Sequence, residues 1–199
     1  MQKVNPDTYL RKATAGILII AAVLSLCSCS IRSKSSLLKY AKEVYGDCKF
    51  IKEDHGGSGN TEYRTLYLQD KETGIKYTVT SGMNGNSSAA TDVVPPVSTT
   101  SDFKEKYYDY LFDEAKKDLR SIEEKYDCDI SHYGESVRLI FDGDIDDNEA
   151  VKVADKIDDV FADYDVKDMR FESYTIYSDG DEIFAYYNVK TGNYQSEKD

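Results

Sequence analysis

Two cysteines and two histidines are the side chains in this sequence best suited to carry chemistry. Cys48 precedes His55 with six residues between them, and Cys128 precedes His132 with three. These spacings do not match a compact zinc knuckle, so zinc is the less favoured use of the four. The cysteines could instead form a disulfide, or remain as buried, unpaired thiols. The choice depends on whether the two segments lie side by side.

An acidic run from Asp142 to Glu149 has carboxylates at positions one, three and five, as a calcium loop does. Position six is Asp147, where such a loop requires glycine, and position twelve is Val153 in place of a bidentate glutamate. Asp146 is instead well placed to cap a following helix, because Glu149 stands three residues on. The run therefore predicts a helix start, with no metal and no other cofactor.

No familiar catalytic motif occurs in the chain. The segment His55-Gly56-Gly57-Ser58-Gly59 resembles the His-Gly-Gly segment beside the oxyanion hole of some esterases, but no Gly-x-Ser-x-Gly nucleophile elbow accompanies it. There is also no Cys-x-x-Cys pair and no phosphate-binding loop. We therefore predict that the protein is not an enzyme, with paired carboxylates as the one catalytic arrangement left open.

The first thirty residues have the layout of an export signal. Lys3, Arg11 and Lys12 form a basic start, and residues 13–26 (ATAGILIIAAVLSL) carry no charge. This apolar stretch ends in Leu26-Cys27-Ser28-Cys29. That ending resembles the lipobox of bacterial lipoproteins.

The resemblance implies that Cys29 is alkylated with diacylglycerol, that the signal peptide (residues 1–28) is removed, and that the new N-terminus is often acylated too, for example with palmitate. Cys29 fits the lipobox better than Cys27, because cleavage before Cys27 would place a bulky leucine at the small-residue site. A lipidated tether over residues 29–36 then holds the protein on the extracytoplasmic face of the cell membrane. The alternative is an uncleaved transmembrane anchor, for which residues 13–31 are barely apolar enough.

The chain is acidic, with a formal charge of −12. The leader holds three basic residues and one acidic residue, so residues 29–199 carry −14. This charge argues against nucleic acid as a partner and repels an anionic bilayer, so the lipid must supply the membrane affinity. Tryptophan is absent, whereas tyrosine occurs 17 times. Such a surplus is typical of half-buried sheet faces and of contact surfaces.

Apolar periodicity predicts three helices and several strand pairs. Helices are expected at residues 35–45, 102–126 and 147–164. Strand pairs are expected at 62–70 with 75–81, 128–132 with 136–142, and 169–177 with 182–189. Ser36 is expected to cap the first helix, and Gly46 to end it. Asp102 and Glu105 have capping-box spacing at the start of the second.

Two stretches lack periodicity. Residues 54–60 are rich in glycine and predict a turn after an extended segment that begins at Cys48. Residues 82–101 include Pro95 and Pro96 and predict a long mobile loop.

A similar sequence pattern recurs at the two cysteine segments. Val44-Tyr45-Gly46-Asp47-Cys48 and Lys125-Tyr126-Asp127-Cys128 each lead from a predicted helix into a predicted strand. We therefore hypothesise a duplicated helix-strand-strand unit. In such a duplication Cys48 and Cys128 would begin neighbouring strands, which is the geometry that a disulfide between them requires.

Near the C-terminus, Val189-Lys190-Thr191-Gly192 follows an aromatic strand. This turn resembles the close of a PepSY-type domain, an extracytoplasmic module associated with peptidase inhibition or regulation. The same turn chemistry recurs in Asp70-Lys71-Glu72-Thr73-Gly74, so an ordinary hairpin accounts for it as well.

The predicted fold is a single α+β domain over residues 37–199, with three helices packed on an antiparallel sheet. The predicted function is that of an extracytoplasmic binding or interaction module, whose partner is a protein or another component of the cell envelope. Two alternatives stay open. One is a thiol- or metal-responsive sensor that uses Cys48 and Cys128, and the other is a PepSY-like peptidase regulator.

Overall fold

The structure is a computed structural model, and it describes residues 31–83, 97–178 and 182–197. The helices are α1 (Lys34–Tyr45), α2 (Phe103–Tyr126) and α3 (Asp147–Tyr164), with a short 3-10 helix at Gly59–Thr61. The strands are β1 (Cys48–Gly56), β2 (Tyr63–Asp70), β3 (Lys76–Met83), β4 (Val97–Ser101), β5 (Cys128–Tyr133), β6 (Ser136–Phe141), β7 (Ser173–Ser178), β8 (Glu182–Asn188) and β9 (Asn193–Ser196). The predicted α+β class is confirmed. Among the described residues, no helix has the length and apolar character needed to cross a membrane.

The described chain divides into two compact units with one sheet each. Unit 1 takes the residues up to Glu72 and then Thr78–Ser101, whereas unit 2 takes Thr73–Tyr77 and the chain from Asp102 onward. The first sheet has the strand order β1-β2-β3-β4, and the second has the order β5-β6-β7-β8-β9. Two sheets therefore stand where the sequence predicted one.

Helix α1 of unit 1 begins one turn earlier than its predicted cap. Ser33 is the N-cap, and its Oγ accepts a hydrogen bond from the Ser36 backbone N–H at 3.2 Å. The prediction that Ser36 caps the helix is therefore wrong, because Ser36 already lies within the first turn. Gly46 ends the helix as predicted, with a φ of 92° that glycine adopts without strain.

The sheet of unit 1 is antiparallel and longer than the sequence predicts. Strand β1 pairs with β2 from Cys48 to Gly56, so the turn that was predicted to begin at residue 54 begins three residues later, at Gly57. The predicted loop at residues 82–101 is also too long at both ends. Gly82 and Met83 close β3, and Val97–Ser101 pairs with it as β4, because Val97 and two threonines favour a strand. Residues 84–96 lie outside the described ranges.

Helix α2 of unit 2 occupies the predicted residues. Asp102 is its N-cap, but the side chain makes no capping hydrogen bond and instead lies 2.8 Å from the Lys106 ammonium. The capping box is therefore not formed. The helix ends at Asp127, which has a left-handed φ of 50°, and Cys128 is the first residue of β5.

The order of helix, strand and strand does occur in both units. It appears as α1-β1-β2 and as α2-β5-β6, and each first strand begins with its cysteine. The units then differ, because unit 1 continues as an antiparallel sheet. In unit 2, α3 crosses over so that β7 pairs parallel with β6.

The core of unit 2 lies between its sheet and its two helices. The inward face of the sheet is fully buried at Val137, Leu139 and Ile176. Ala115 of α2 and Ile157 of α3 are likewise inaccessible to solvent, and the two helices pack against each other. This packing fixes which side chains the sheet presents on its other face.

Candidate functional site

The sheet of unit 2 presents a polar face on the side opposite its buried residues. Alternation along each strand places two rows of cross-strand neighbours there, which we call the outer face. One row is Ser131, Arg138, Thr175, Tyr186 and Gln195. The other row is Tyr133, Ser136, Ser173, Asn188 and Asn193. Their inward neighbours are mostly apolar residues and tyrosines, with His132 in β5, so the sheet has one buried side and one polar side.

A depression of about 310 Å³ lies on the outer face over β6 to β9. Its polar lining includes Ser136, Ser173, Thr175, Tyr186, Asn193 and Gln195. The described residues that line it include no carboxylate and no basic side chain, although charged residues make up 31% of the chain. A volume of about 300 Å³ is at the lower end of the range for small-molecule pockets.

Hydrogen bonds hold part of this lining in place. The hydroxyls of Ser136 and Thr175 lie 3.2 Å apart, and Ser136 also donates to the Ser173 carbonyl at 3.3 Å. By contrast, the amide side chains of Asn193 and Gln195 have no hydrogen-bond partner within the described part of the chain. These two amides therefore have free donors and acceptors.

Tyrosine and arginine supply the larger groups of the outer face. Tyr186 is 42% exposed, so its ring is available for contact. The Arg138 guanidinium lies 4.8 Å from the centre of the Tyr177 ring, as in a cation-π contact. Its buried Nε has no hydrogen-bond partner among the described residues. Arg138 is the cross-strand neighbour of Thr175, and the donors that it can add to this face are its terminal NH₂ groups.

Tyrosines on the buried side of the sheet tie helix α3 to the strands that carry the outer face. The Tyr187 hydroxyl donates to Asp155 at 2.7 Å, and the Tyr194 hydroxyl donates to Asp147 at 3.0 Å. Burial, together with the hydrogen bond to Asp155, raises the pKa of Tyr187 to about 12. Burial also raises the pKa of Tyr174 and Tyr194. Each of these hydroxyls is therefore held in its neutral form.

This arrangement predicts that unit 2 loses stability at alkaline pH. An unfolded tyrosine ionises near its usual pKa of 10.0, whereas folded Tyr187 keeps its proton up to about pH 12. The unfolded state therefore binds fewer protons above pH 10, and the free energy of unfolding falls as pH rises from there. When tyrosinate absorbance and circular dichroism are recorded together, the final part of the rise in absorbance should coincide with the loss of the circular dichroism signal. Ionisation of every tyrosine near pH 10 with the fold intact would contradict this.

A second cavity, of about 190 Å³, lies at the end of α3 and beside the turn before β9. Arg170 contacts Asp158 at 3.3 Å, and Lys190 contacts Glu172 at 2.8 Å. Its charged side chains are thus largely engaged with one another, which makes it a weaker candidate than the outer face.

The residues that the sequence singled out are not brought together as one site. Cys29, the predicted lipidation site, lies outside the described residues. Cys48 and Cys128 are free and buried, one in each unit. The disulfide between them is therefore not formed in this structure. Burial, with the nearby Glu123 and Asp129 carboxylates, raises the pKa of the Cys128 thiol to about 12, which leaves it protonated and unreactive at neutral pH.

The two histidines lie in different surroundings. His55 is exposed, with its Nε2 3.4 Å from a Glu62 oxygen. His132 packs against Phe112 and Phe171, with ring centres 4.8 and 5.4 Å away, and its Nε2 lies 3.3 Å from Asp109. Neither arrangement includes a nucleophile.

The acidic run before α3 forms the predicted helix cap. The Asp146 carboxylate accepts hydrogen bonds from the backbone N–H groups of Asn148 and Glu149 at 2.9 and 3.0 Å. In the described ranges, no group of three or more His, Cys, Asp or Glu side chains is placed to hold a metal ion.

The outer face was missed in the sequence because polar alternation in a strand indicates solvent as readily as a ligand. The signal that could have indicated it is the tyrosine surplus together with Asn193 and Gln195, which follow the turn that resembles a PepSY close. No protein-family model matches the chain, and no curated protein or solved structure was found to be similar to it.

Proposed function

We propose that this protein is a lipid-anchored, extracytoplasmic binding module that holds a component of the cell envelope on the outer face of unit 2. The observation that carries the proposal is the uncharged depression on that face, which is lined by hydroxyls, amides and the exposed Tyr186 ring. Tyrosine, serine and asparagine are the residues that recognition surfaces use most, because they combine contact area with adaptable hydrogen bonds.

The charge distribution supports a binding role. The charges spread over an acidic chain keep its surface soluble, yet the described residues that line this depression carry no charge. Removing uncharged hydroxyls and amides from water costs far less than removing carboxylates or ammonium groups. The depression can therefore bury a ligand at a lower desolvation cost than the charged cavity at the end of α3.

The anchor follows from the lipobox resemblance at Cys29. Acyl chains contribute about 0.8 kcal/mol per buried methylene, so two or three chains would hold the protein on the membrane durably. The sensor alternative is less favoured, because the buried Cys128 thiol is protonated at neutral pH. The alternative of a PepSY-like regulator is supported only by the turn at residues 189–192. This turn joins β8 to β9 at the edge of the outer face.

The experiment expresses the full chain in a bacterial host, extracts it from membranes in detergent, and measures its intact mass and its binding to isolated cell-envelope material. A mass equal to residues 29–199 plus acyl chains is expected. Tyr186→Ala should weaken envelope binding by about tenfold or more, since an aromatic anchor of a binding surface contributes at least about 1.4 kcal/mol.

The matched control is Tyr63→Ala. Tyr63 lies in unit 1 and is 38% exposed, close to the 42% of Tyr186, so its loss removes a similar ring from a different surface. Equal binding by wild type and Tyr186→Ala would refute the role of the outer face. A full-length mass without lipid would refute the anchor.

A further inference from the structure

We propose that the ligand of the outer face is an uncharged glycan, bound by its hydroxyl and amide groups with one sugar ring packed on Tyr186. This inference rests on the proposed function and names the class of ligand. Three features of the depression support the glycan assignment: its charge, its hydrogen-bonding groups and its aromatic ring.

The charges of the depression and of the chain argue against cationic and anionic ligands. A cationic ligand would require carboxylates, and none is among the described residues that line the depression. An anionic polymer would be repelled by a chain whose residues 29–199 carry −14. Arg138 stands beside the depression rather than in its lining, and its fork of donors suits a pair of neighbouring sugar hydroxyls as well as it suits an anion. An uncharged ligand is what remains.

The hydrogen-bonding groups match a polyhydroxylated ligand. The amides of Asn193 and Gln195 each offer a carbonyl oxygen and an NH₂ group, and neither amide has a partner among the described residues. The hydroxyls of Ser136 and Thr175 both donate and accept. A sugar hydroxyl is likewise a donor and an acceptor at once, so each can pair with any of these groups.

The aromatic ring gives the site its apolar contact. Tyr186 stands in the same cross-strand row as Thr175 and Gln195, so its ring is flanked by a hydroxyl and an amide. One side of a pyranose ring presents C–H groups that pack on an aromatic face, while its rim of hydroxyls points to flanking polar groups. A peptide fits less well, because an extended peptide pairs with the backbone of an edge strand and not with the face of a sheet.

The test compares three oligosaccharides that differ in charge. The detergent-extracted full chain is labelled with 3-fluorotyrosine and titrated with an N-acetylglucosamine tetrasaccharide, its de-acetylated cationic counterpart, and an anionic oligogalacturonate. The Tyr186 fluorine signal is assigned from its absence in Tyr186→Phe. We expect the neutral sugar to shift this signal, with an affinity that changes less than about twofold between low and high salt, because no ion pair is formed.

Variants separate stacking from hydrogen bonding. Tyr186→Ala should weaken binding of the neutral sugar by about tenfold or more, whereas Tyr186→Phe should retain most of it because the ring remains. Asn193→Ala combined with Gln195→Ala should also weaken binding. Tyr63→Ala again serves as the control and should bind as the wild type does.

The outcomes distinguish this inference from the proposed function. Tighter binding of a charged sugar, strong salt dependence, or no effect of Tyr186→Ala on sugar binding would each overturn the glycan assignment. If no sugar binds but envelope material is still retained through Tyr186 and is lost after protease treatment, the ligand is a protein and only this inference fails. If envelope material is not retained and no sugar binds, both proposals fail.

Discussion

Replacing Asp165 with alanine is expected to lower the free energy of unfolding of unit 2 by about 3–5 kcal/mol. One oxygen of this carboxylate accepts from the Tyr107 hydroxyl at 2.6 Å and from the Lys167 N–H at 3.0 Å. The other accepts from the backbone N–H groups of Met169 and Arg170 at 2.9 and 3.0 Å. Asp165 thus organises the loop after α3 through four charge-assisted hydrogen bonds.

The effect should be measured by urea unfolding and by amide hydrogen exchange in β7. Tyr107 has no solvent-accessible surface, so its hydroxyl would lose its acceptor without access to bulk water. Asp163→Ala removes the same charge from an exposed position two residues earlier, and it should change stability by less than about 0.5 kcal/mol. A loss below about 1 kcal/mol for Asp165→Ala would show that water replaces the carboxylate.

Replacing Phe171 with alanine is expected to destabilise unit 2 by about 3–5 kcal/mol, the usual cost of deleting a buried aromatic ring. Phe171 is fully buried. It stacks on Tyr108 with ring centres 4.3 Å apart, and it contacts Phe161 at 4.9 Å and His132 at 5.4 Å. Its removal would leave a cavity among rings that the sheet and both helices hold in place.

The control for this prediction is Tyr133→Ala. Tyr133 is 84% exposed, so deleting its ring should change the free energy of unfolding by less than about 0.5 kcal/mol. Thermal unfolding followed by near-ultraviolet circular dichroism measures both variants. Equal melting temperatures for the two would mean that the cluster repacks without loss.

The helices could be predicted from the sequence because their signals are local. The stripe in Phe103–Tyr126 and the cap at Asp146 depend on residues within a few turns of each other. The division into two sheets could not be predicted, because it depends on which strands pair across long separations. Strand β9 was missed for a related reason, since Asn193–Ser196 has four mostly polar residues and no apolar alternation.

The candidate site was harder to predict than the fold. Its residues come from four strands, of which β6 is separated from the other three by α3. Only the register of the sheet puts Ser136 beside Ser173 and Tyr186 beside Gln195. The cysteines and histidines attracted attention in the sequence because of their chemistry. In the structure Cys48 and Cys128 are buried small side chains, and His132 is part of an aromatic core. Residue type alone therefore pointed to these buried positions rather than to the outer face.

The parallel pairing of β6 with β7 has a consequence for the time course of folding. Ser136 pairs with Ser173, which lies 37 positions further along the chain. By contrast, Tyr133 pairs with Ser136 across a tight turn. Closing the longer loop costs more entropy and must await α3, so this pairing is expected to set the folding rate of unit 2. Until it closes, β6 presents an unpaired edge to proteases and to other chains. The part of the outer face that spans β6 and β7 is then the last part of it to form.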